Sequence, residues 1–147
     1  MRLLGLDLGT VRIGVAVCDE LGLTVRPLSF IARHGGRRDL LAVERLVREQ
    51  EAGGVVLGLP LNMDGSEGPA AQRARRFALS LQAHLAPLEV PVHLWDERLS
   101  TWEAEGILRQ EGVRPSRRRQ KVDALAAALI LESYLAAQTA QARETAR

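Results

Sequence analysis

The sequence predicts an α/β fold: one mixed sheet of three antiparallel N-terminal strands, then alternating helices and parallel strands, with helices on both faces. Three observations carry that prediction. Three β-rich runs come first, joined by connections too short for a crossover. After them, segments with helical periodicity alternate with short apolar runs. At 147 residues the chain is long enough to close one core and is expected to form a single domain.

The first three strands are read as Leu3 to Leu8, Arg12 to Cys18 and about Thr24 to Ala32, with LGT and DELGL between them. Beyond the RHGGRRD loop, LLAVERLVREQEA places apolar residues at helical spacing, and GGVVLGLP reads as a buried strand stopped by Pro60. The turn-rich NMDGSEGP follows, and its Pro69 suits the first turn of a helix running to about Leu85. Pro91 to Trp95 is a short strand, and Ser100 opens another helix whose Ser100 and Glu103 match the S-x-x-E capping box. A basic loop leads to a last helix from about Arg119 to Ala137. The domain is expected to span residues 1–138, leaving residues 139–147 as a tail that frays.

Composition narrows the class. The hydrophobic share is 46%, and no apolar run approaches the roughly 18 residues of a membrane span, so a soluble protein with no membrane partner is expected. The N-terminus has no charged-then-apolar leader, and Cys18 is the only cysteine, which rules out an internal disulfide. A cytoplasmic location is the expectation. Cys18 has no His or Cys at ligand spacing and reads as a strand residue. His34, His84 and His93 are scattered singly and read as surface or packing residues, as do Trp95 and Trp102 in packing.

Charge is unevenly placed. Between Arg109 and Lys121, six positive side chains (Arg109, Arg114, Arg117, Arg118, Arg119 and Lys121) face one acid, Glu111, so this segment carries +5 and the rest of the chain −3. A concentrated basic segment on a slightly acidic molecule suits contact with a phosphate backbone, although a solvated loop would carry the same pattern. Aromatic residues make up 3% of the chain, too few for a base-stacking platform, so recognition by backbone and shape is expected.

Asp7 is set among Leu3, Leu4, Leu6, Leu8 and Val15. An ionised carboxylate inside a sheet costs several kcal/mol unless something pairs with it, and a cation is one such partner. Capping of the Gly9 turn or pairing with Arg12 would explain Asp7 taken alone. Further acids favour the cation. Asp96 and Glu97 end the strand VPVHLW, and the residues alone leave open which of them faces a neighbouring strand end. Asp123 shares a helical stripe with Ala126, Ala127, Ile130 and Tyr134, which places it on the apolar face. The helix macrodipole favours an acid near a helix N-terminus by a fraction of a kcal/mol, but it does not account for an inward face. Alanines at the facing positions would let this helix approach the sheet closely. Three hard oxygen donors without a cysteine-histidine cluster suit Mg²⁺ or Mn²⁺.

Four stretches, DLGTVRIGVAVCD, GLPLNMDGSEGP, DERLST and KVDALAAALILESYL, in this order and spacing, resemble the YqgF family, also called RuvX: pre-16S rRNA nucleases long described as Holliday junction resolvase-like. The resemblance covers about Leu3 to Ala136. It implies a ribonuclease H-like fold, with Asp7, Glu97 and Asp123 as catalytic carboxylates and metal ligands. That choice of Glu97 over Asp96 comes from the resemblance. It further implies two divalent ions about 4 Å apart, one activating water and one stabilising the leaving oxygen. Arg12, Arg98, Arg114, Arg117, Arg118, Arg119 and Lys121 would meet phosphates, and Asn62 would touch substrate, although Asn62 and Asp64 suit a turn equally well. Val11 stands where the family is expected to carry the first of two basic residues.

The activity implied is trimming of the 5′ end of pre-16S rRNA during ribosome maturation. Cleavage of four-way DNA junctions is the alternative, and its two symmetric incisions would call for a homodimer. Two other classes are weaker. A catalytically idle nucleic-acid-binding module would not need all three acids, and an ATP-binding protein with a DLGT-like phosphate loop would need two lobes where this chain has room for one.

Overall fold

The computed structural model describes residues 1–98 and 115–145, with side chains described for 1–98 and 124–145. Strands β1 (Leu3–Leu8), β2 (Arg12–Cys18) and β3 (Val25–Ala32) come first. They are followed by α1 (Gly36–Gln50), β4 (Gly54–Leu59), α2 (Pro69–Leu85), a 3₁₀ turn at Ala86–Leu88, β5 (Val92–Asp96) and α3 (Pro115–Thr145). The sheet order is β3-β2-β1-β4-β5. β1 pairs antiparallel with β2 and parallel with β4, β2 pairs antiparallel with β3, and β4 pairs parallel with β5. This is the expected mixed sheet: the short β1–β2 and β2–β3 links permit only antiparallel neighbours.

Alternation along each strand divides the interior in two. Leu4, Leu6, Ile13, Val15, Val55 and Leu57 pack with α1 through Val43 and Val47, and with α2 through Ala74, Phe77, Leu81 and Leu85. The opposite face buries Leu3, Ala16, Cys18 and Val56 against Ala127, Ala128, Ile130 and Leu131 of α3. Fully burying a Leu, Ile or Val side chain contributes about 1.5–3 kcal/mol, so both faces are strongly held. Cys18 lies in this second core, as expected of a strand residue, and the Leu3 N–H points at its Sγ at 3.2 Å.

α3 approaches the sheet closely because the facing residues are small. A Cβ placed on Gly5 would lie 2.8 Å from the Ala127 carbonyl oxygen and 2.9 Å from the Leu131 Cβ. At the edge, the Trp95 indole N–H donates to Ser133 Oγ at 2.9 Å, and its ring meets Tyr134 edge-on at 5.4 Å. His93 stacks on the same tyrosine at 5.7 Å. His84 instead pairs with Glu44 at 2.7 Å. Both histidines and Trp95 thus have the packing or surface roles expected of them.

The helix boundaries need correction. α1 starts at Gly36, ahead of the LLAVERLVREQEA run, because Asp39 in its first turn accepts hydrogen bonds from the His34 and Gly35 N–H groups and stabilises that end. α3 starts at Pro115, where a proline suits a first turn, so the backbone of residues 115–118 is helical and not the loop expected ahead of Arg119. It also continues past Ala137 to Thr145, through the segment expected to fray. Alanine, glutamine, arginine and glutamate there are good helix formers but supply no apolar stripe, which hid the extension from a periodicity reading. Among the described residues, no helix is long and apolar enough to cross a membrane. The helix expected from Ser100, its capping pair with Glu103, and Trp102 lie outside the described residues.

Candidate active site

Asp7 is the penultimate residue of β1 and faces Gly14 of β2 in register. Its parity is that of Leu3 and Gly5, so it belongs to the α3 face of the sheet, where it is 9% exposed. Glu97 follows β5 directly, and its backbone N–H donates to the Leu59 carbonyl at 3.2 Å, extending the pairing with β4 by one step. Strand alternation continues from His93 through Trp95 to Glu97, which brings this side chain to the α3 face and to Asp7. The intervening Asp96 has the other parity: its carboxylate takes the Arg98 guanidinium at 2.6 Å and lies substantially exposed. Of the two, Glu97 is the one that the fold brings beside Asp7.

The two acids meet in a space left by a missing side chain. A Cβ on Gly58 of β4 would sit 2.0 Å from Glu97 Oε2 and 2.6 Å from Ile130 Cδ1. Burial, with the Asp7 charge beside it, pushes the Glu97 carboxyl up to about 9, and in that protonated form it hydrogen-bonds to Asp7. Its Oε2 is nevertheless buried with no hydrogen-bond partner among the described residues. A buried acceptor without a donor costs about 1–3 kcal/mol, and a divalent cation taken up in place of the Glu97 proton is a partner that would remove this cost and hold both carboxylates in charged form. These two oxygen donors thus fit Mg²⁺ or Mn²⁺. Among the described side chains no third ligand joins the pair.

Asp123 has only its backbone described. It lies on α3 one turn ahead of Ala127, which rests on Gly5. Leu135, at the other end of that stripe, reaches Gly22 in the turn after β2, so α3 runs antiparallel to β1. Four helical residues rise about 6 Å and two strand residues about 6.6 Å. The backbone of residue 123 is accordingly level with Asp7.

The expected substrate contacts fall into three groups. Arg12 shares the Asp7 face of the sheet and lies over the Phe30 ring at 5.8 Å. Arg98 ties the end of β5 to the loop after β4, donating to Asp96 and, at 3.4 Å, to the Met63 carbonyl. Asn62 and Asp64 both close that loop: Asn62 Nδ2 donates to Ser66 Oγ at 2.9 Å, and Asp64 accepts from the Ser66 N–H and hydroxyl. Arg117, Arg118, Arg119 and Lys121 occupy the opening turns of α3 by backbone alone, and Arg109 and Arg114 lie outside the described residues. Val11, 65% exposed, leaves its position beside the Gly9 turn open to solvent.

Two supports were not anticipated from the sequence. One is Gly58, whose signal was a glycine within a buried strand, a pattern that marks close approach. The other is Arg33, which donates to the Gly9 carbonyl at 2.9 Å and pairs with Asp39 at 3.3 Å. Asp39 is 1% exposed, and although burial opposes its charge, hydrogen bonds from His34, Arg33 and Gly35 hold its carboxyl below the ordinary carboxylate range. This strut braces the turn that follows Asp7.

Comparison with known proteins bears on the fold and the family. A family model described as "RuvX: Holliday junction resolvase" matches residues 1–137. A protein of Anaeromyxobacter dehalogenans strain 2CP-C named "Putative pre-16S rRNA nuclease" is 52% identical over 135 residues, covering 92% of this chain and 96% of its own. Proteins of the same name from Syntrophus aciditrophicus and Pelotomaculum thermopropionicum are 50% and 46% identical, covering 92% and 98% of this chain and 88% and 92% of theirs. Among solved structures, Thermus thermophilus RuvC in complex with a Holliday junction superposes with a TM-score of 0.57 at 20% identity, covering 95% of this chain and 96% of its own. Fowlpox virus resolvase with junction DNA gives 0.58 at 11%, covering 94% and 99%. These two likenesses establish the ribonuclease H-like fold, and with the family match over nearly the whole chain and relatives near half-identity they lead to one assignment: the chain belongs to the RuvX family.

Proposed function

We propose that the chain is a divalent-metal-dependent nuclease that processes the 5′ end of pre-16S rRNA in the cytoplasm. The observation that carries the reading is the Asp7–Glu97 pair: two carboxyls brought together on the α3 face at the ends of β1 and β5, with Glu97 Oε2 buried and without a hydrogen-bond partner among the described residues. The names of relatives at about half-identity supply the substrate.

Asp7 and Glu97, with Asp123 from α3, would hold Mg²⁺ or Mn²⁺, as one or two ions. When bound, such an ion supplies Lewis acidity toward a phosphodiester oxygen and activates water. Glu97 must release its proton before its carboxylate can act as a ligand, so loading of the site is coupled to pH. Gly58 leaves the volume that Glu97 occupies, and the Arg33–Asp39 strut keeps the Gly9 turn in place. Arg12 and the basic residues 114–121 would neutralise phosphates on either side of the scissile bond, with the Arg forks giving direction as well as charge.

One observation favours a second reading, branched DNA: the family model's description names a junction resolvase. A single assay separates them. Purified protein with Mg²⁺, Mn²⁺ or EDTA is incubated with labelled pre-16S leader RNA and with a four-way DNA junction, beside Asp7→Asn. Metal-dependent cutting of the RNA alone, absent in the variant, is expected. Paired symmetric nicks in the junction, made by a dimer, would transfer the function to DNA. Binding without cutting of either would leave an idle module.

A further inference from the structure

A groove of about 790 Å³ runs between α1 and α2, on the side of the sheet away from the carboxylates; its lining includes Leu8, Arg33, Arg37, Arg73, Arg76 and His84. The acids along it are already engaged. Asp39, in the lining, takes Arg33, and Glu44, which pairs with the lining residue His84, also takes Arg48. Arg37, Arg73 and Arg76 have no ion pair among the described residues and are exposed. Three uncompensated guanidinium groups around one concavity repel each other unless an anion joins them.

The topology points this groove at the site. β3 and β4 both run parallel to β1, and each passes into its helix at the end of the sheet that carries Asp7. The N-termini of α1 and α2 therefore lie together at that end, where helix dipoles also favour negative charge. Leu8, adjacent to Asp7, forms part of the groove wall. We propose that this groove is a second phosphate-backbone site, gripping the single-stranded flank of a nucleic acid whose scissile bond lies at Asp7 and Glu97. The proposal rests on the nuclease reading. A strand leaving the carboxylates over the Gly9 turn enters the groove, and Arg37, Arg73 and Arg76 hold its phosphates without reading sequence.

The test uses the double variant Arg73→Ala/Arg76→Ala, whose side chains are exposed and whose truncation leaves the core intact. Arg26→Ala/Arg45→Ala, two exposed arginines outside the groove, makes the same change in net charge. Binding is measured in an Asp7→Asn background against leader RNAs shortened stepwise from each end, at several salt concentrations. The groove variant is expected to weaken binding of long RNA about tenfold and to lower the salt slope by about 0.7 for each phosphate that an arginine no longer neutralises. The shortest RNA that wild type still cuts should be bound and cut as before, and the control pair should change little. Equal weakening for long and short RNA, or for both double variants, would overturn the proposal. So would unchanged RNA affinity accompanied by abolished ATP or pyrophosphate binding, which would make the groove a small-polyphosphate site, or by altered sedimentation, which would make it an interface between copies. If wild type cuts no RNA at all the nuclease reading fails, and the length-dependent weakening of binding still decides the groove by itself.

Discussion

Replacing Gly58 with alanine should damage the site far more than the fold. The new Cβ would lie 2.0 Å from Glu97 Oε2, which must retreat by about 1.4 Å to reach ordinary contact at 3.4 Å. Ile130 Cδ1, 2.6 Å away, must give way as well, in a place where it is 1% exposed. Overpacking of this kind costs about 1–3 kcal/mol, partly offset by the 0.5–1 kcal/mol, roughly, that alanine gains over glycine in a strand. Urea unfolding should therefore show a modest destabilisation. Displacing a proposed metal ligand by about 1 Å is expected to lower turnover by about a hundredfold, so cutting of leader RNA and affinity for Mn²⁺ should both collapse. Gly53→Ala is the matched control, because its Cβ would press only on the flexible Met1 side chain, at 2.5 and 2.6 Å, and would meet the Arg2 carbonyl oxygen at an ordinary 3.9 Å. It should leave cutting unchanged. Gly58→Ala with cutting and Mn²⁺ affinity within threefold of wild type would refute the argument that this glycine makes room for a working Glu97.

Three further outcomes are expected. Asp7→Asn should keep the fold and remove cutting, while the Glu97 titration, followed by ¹³C NMR, moves down because one of the causes raising it is gone. The metal-free protein should lose stability as pH rises: Glu97 titrates higher when folded than when unfolded, so its contribution is complete below about 4.5 and is lost as pH passes through about 9. Urea melts should show a falling slope of at most about 1.4 kcal/mol per pH unit, and saturating Mn²⁺ should reverse its sign. Arg33→Ala should cost about 3 kcal/mol in urea unfolding, the low end for removing one partner of a buried pair, because the Asp39 carboxylate, 1% exposed, loses its counter-ion but keeps the His34 and Gly35 N–H donors.

The strands were legible because their alternation and turn residues are local signals. β1 and β2 have the boundaries read from sequence, and β3, β4 and β5 differ by about one residue. Helix ends were less legible. A polar opening turn at Arg37, Arg38 and Asp39 has no periodicity to detect, and the extension of α3 beyond Ala137 has helix formers without an apolar face. At the site, Asp7 stood out as an acid in an apolar strand, but Glu97 could not be separated from Asp96 by residue type. Parity along β5 separates them, yet applying it requires knowing which face α3 covers. Arg33 and Asp39 were hidden for another reason: their contact depends on the β3–α1 turn bringing a strand end against the Gly9 loop, and no local pattern encodes that approach.

Closeness of α3 to the sheet links the fold to the chemistry. Gly5 and Gly58 have no side chains on the face that Ala127 and Ile130 cover, so two adjacent strands are both cut away beneath one helix. The helix can therefore come down until its backbone touches β1, and the same descent buries Glu97 beside Asp7. Larger residues at those two positions would add apolar contact, worth about 0.8 kcal/mol per buried CH₂, but they would lift α3 and leave both acids hydrated. A hydrated pair would titrate near the usual carboxylate range and would bind a divalent cation less tightly, since water would screen the attraction. Gly5 and Gly58 thus give up core volume to hold the acids in a low-dielectric space, and the raised Glu97 pKa is the mark of that exchange.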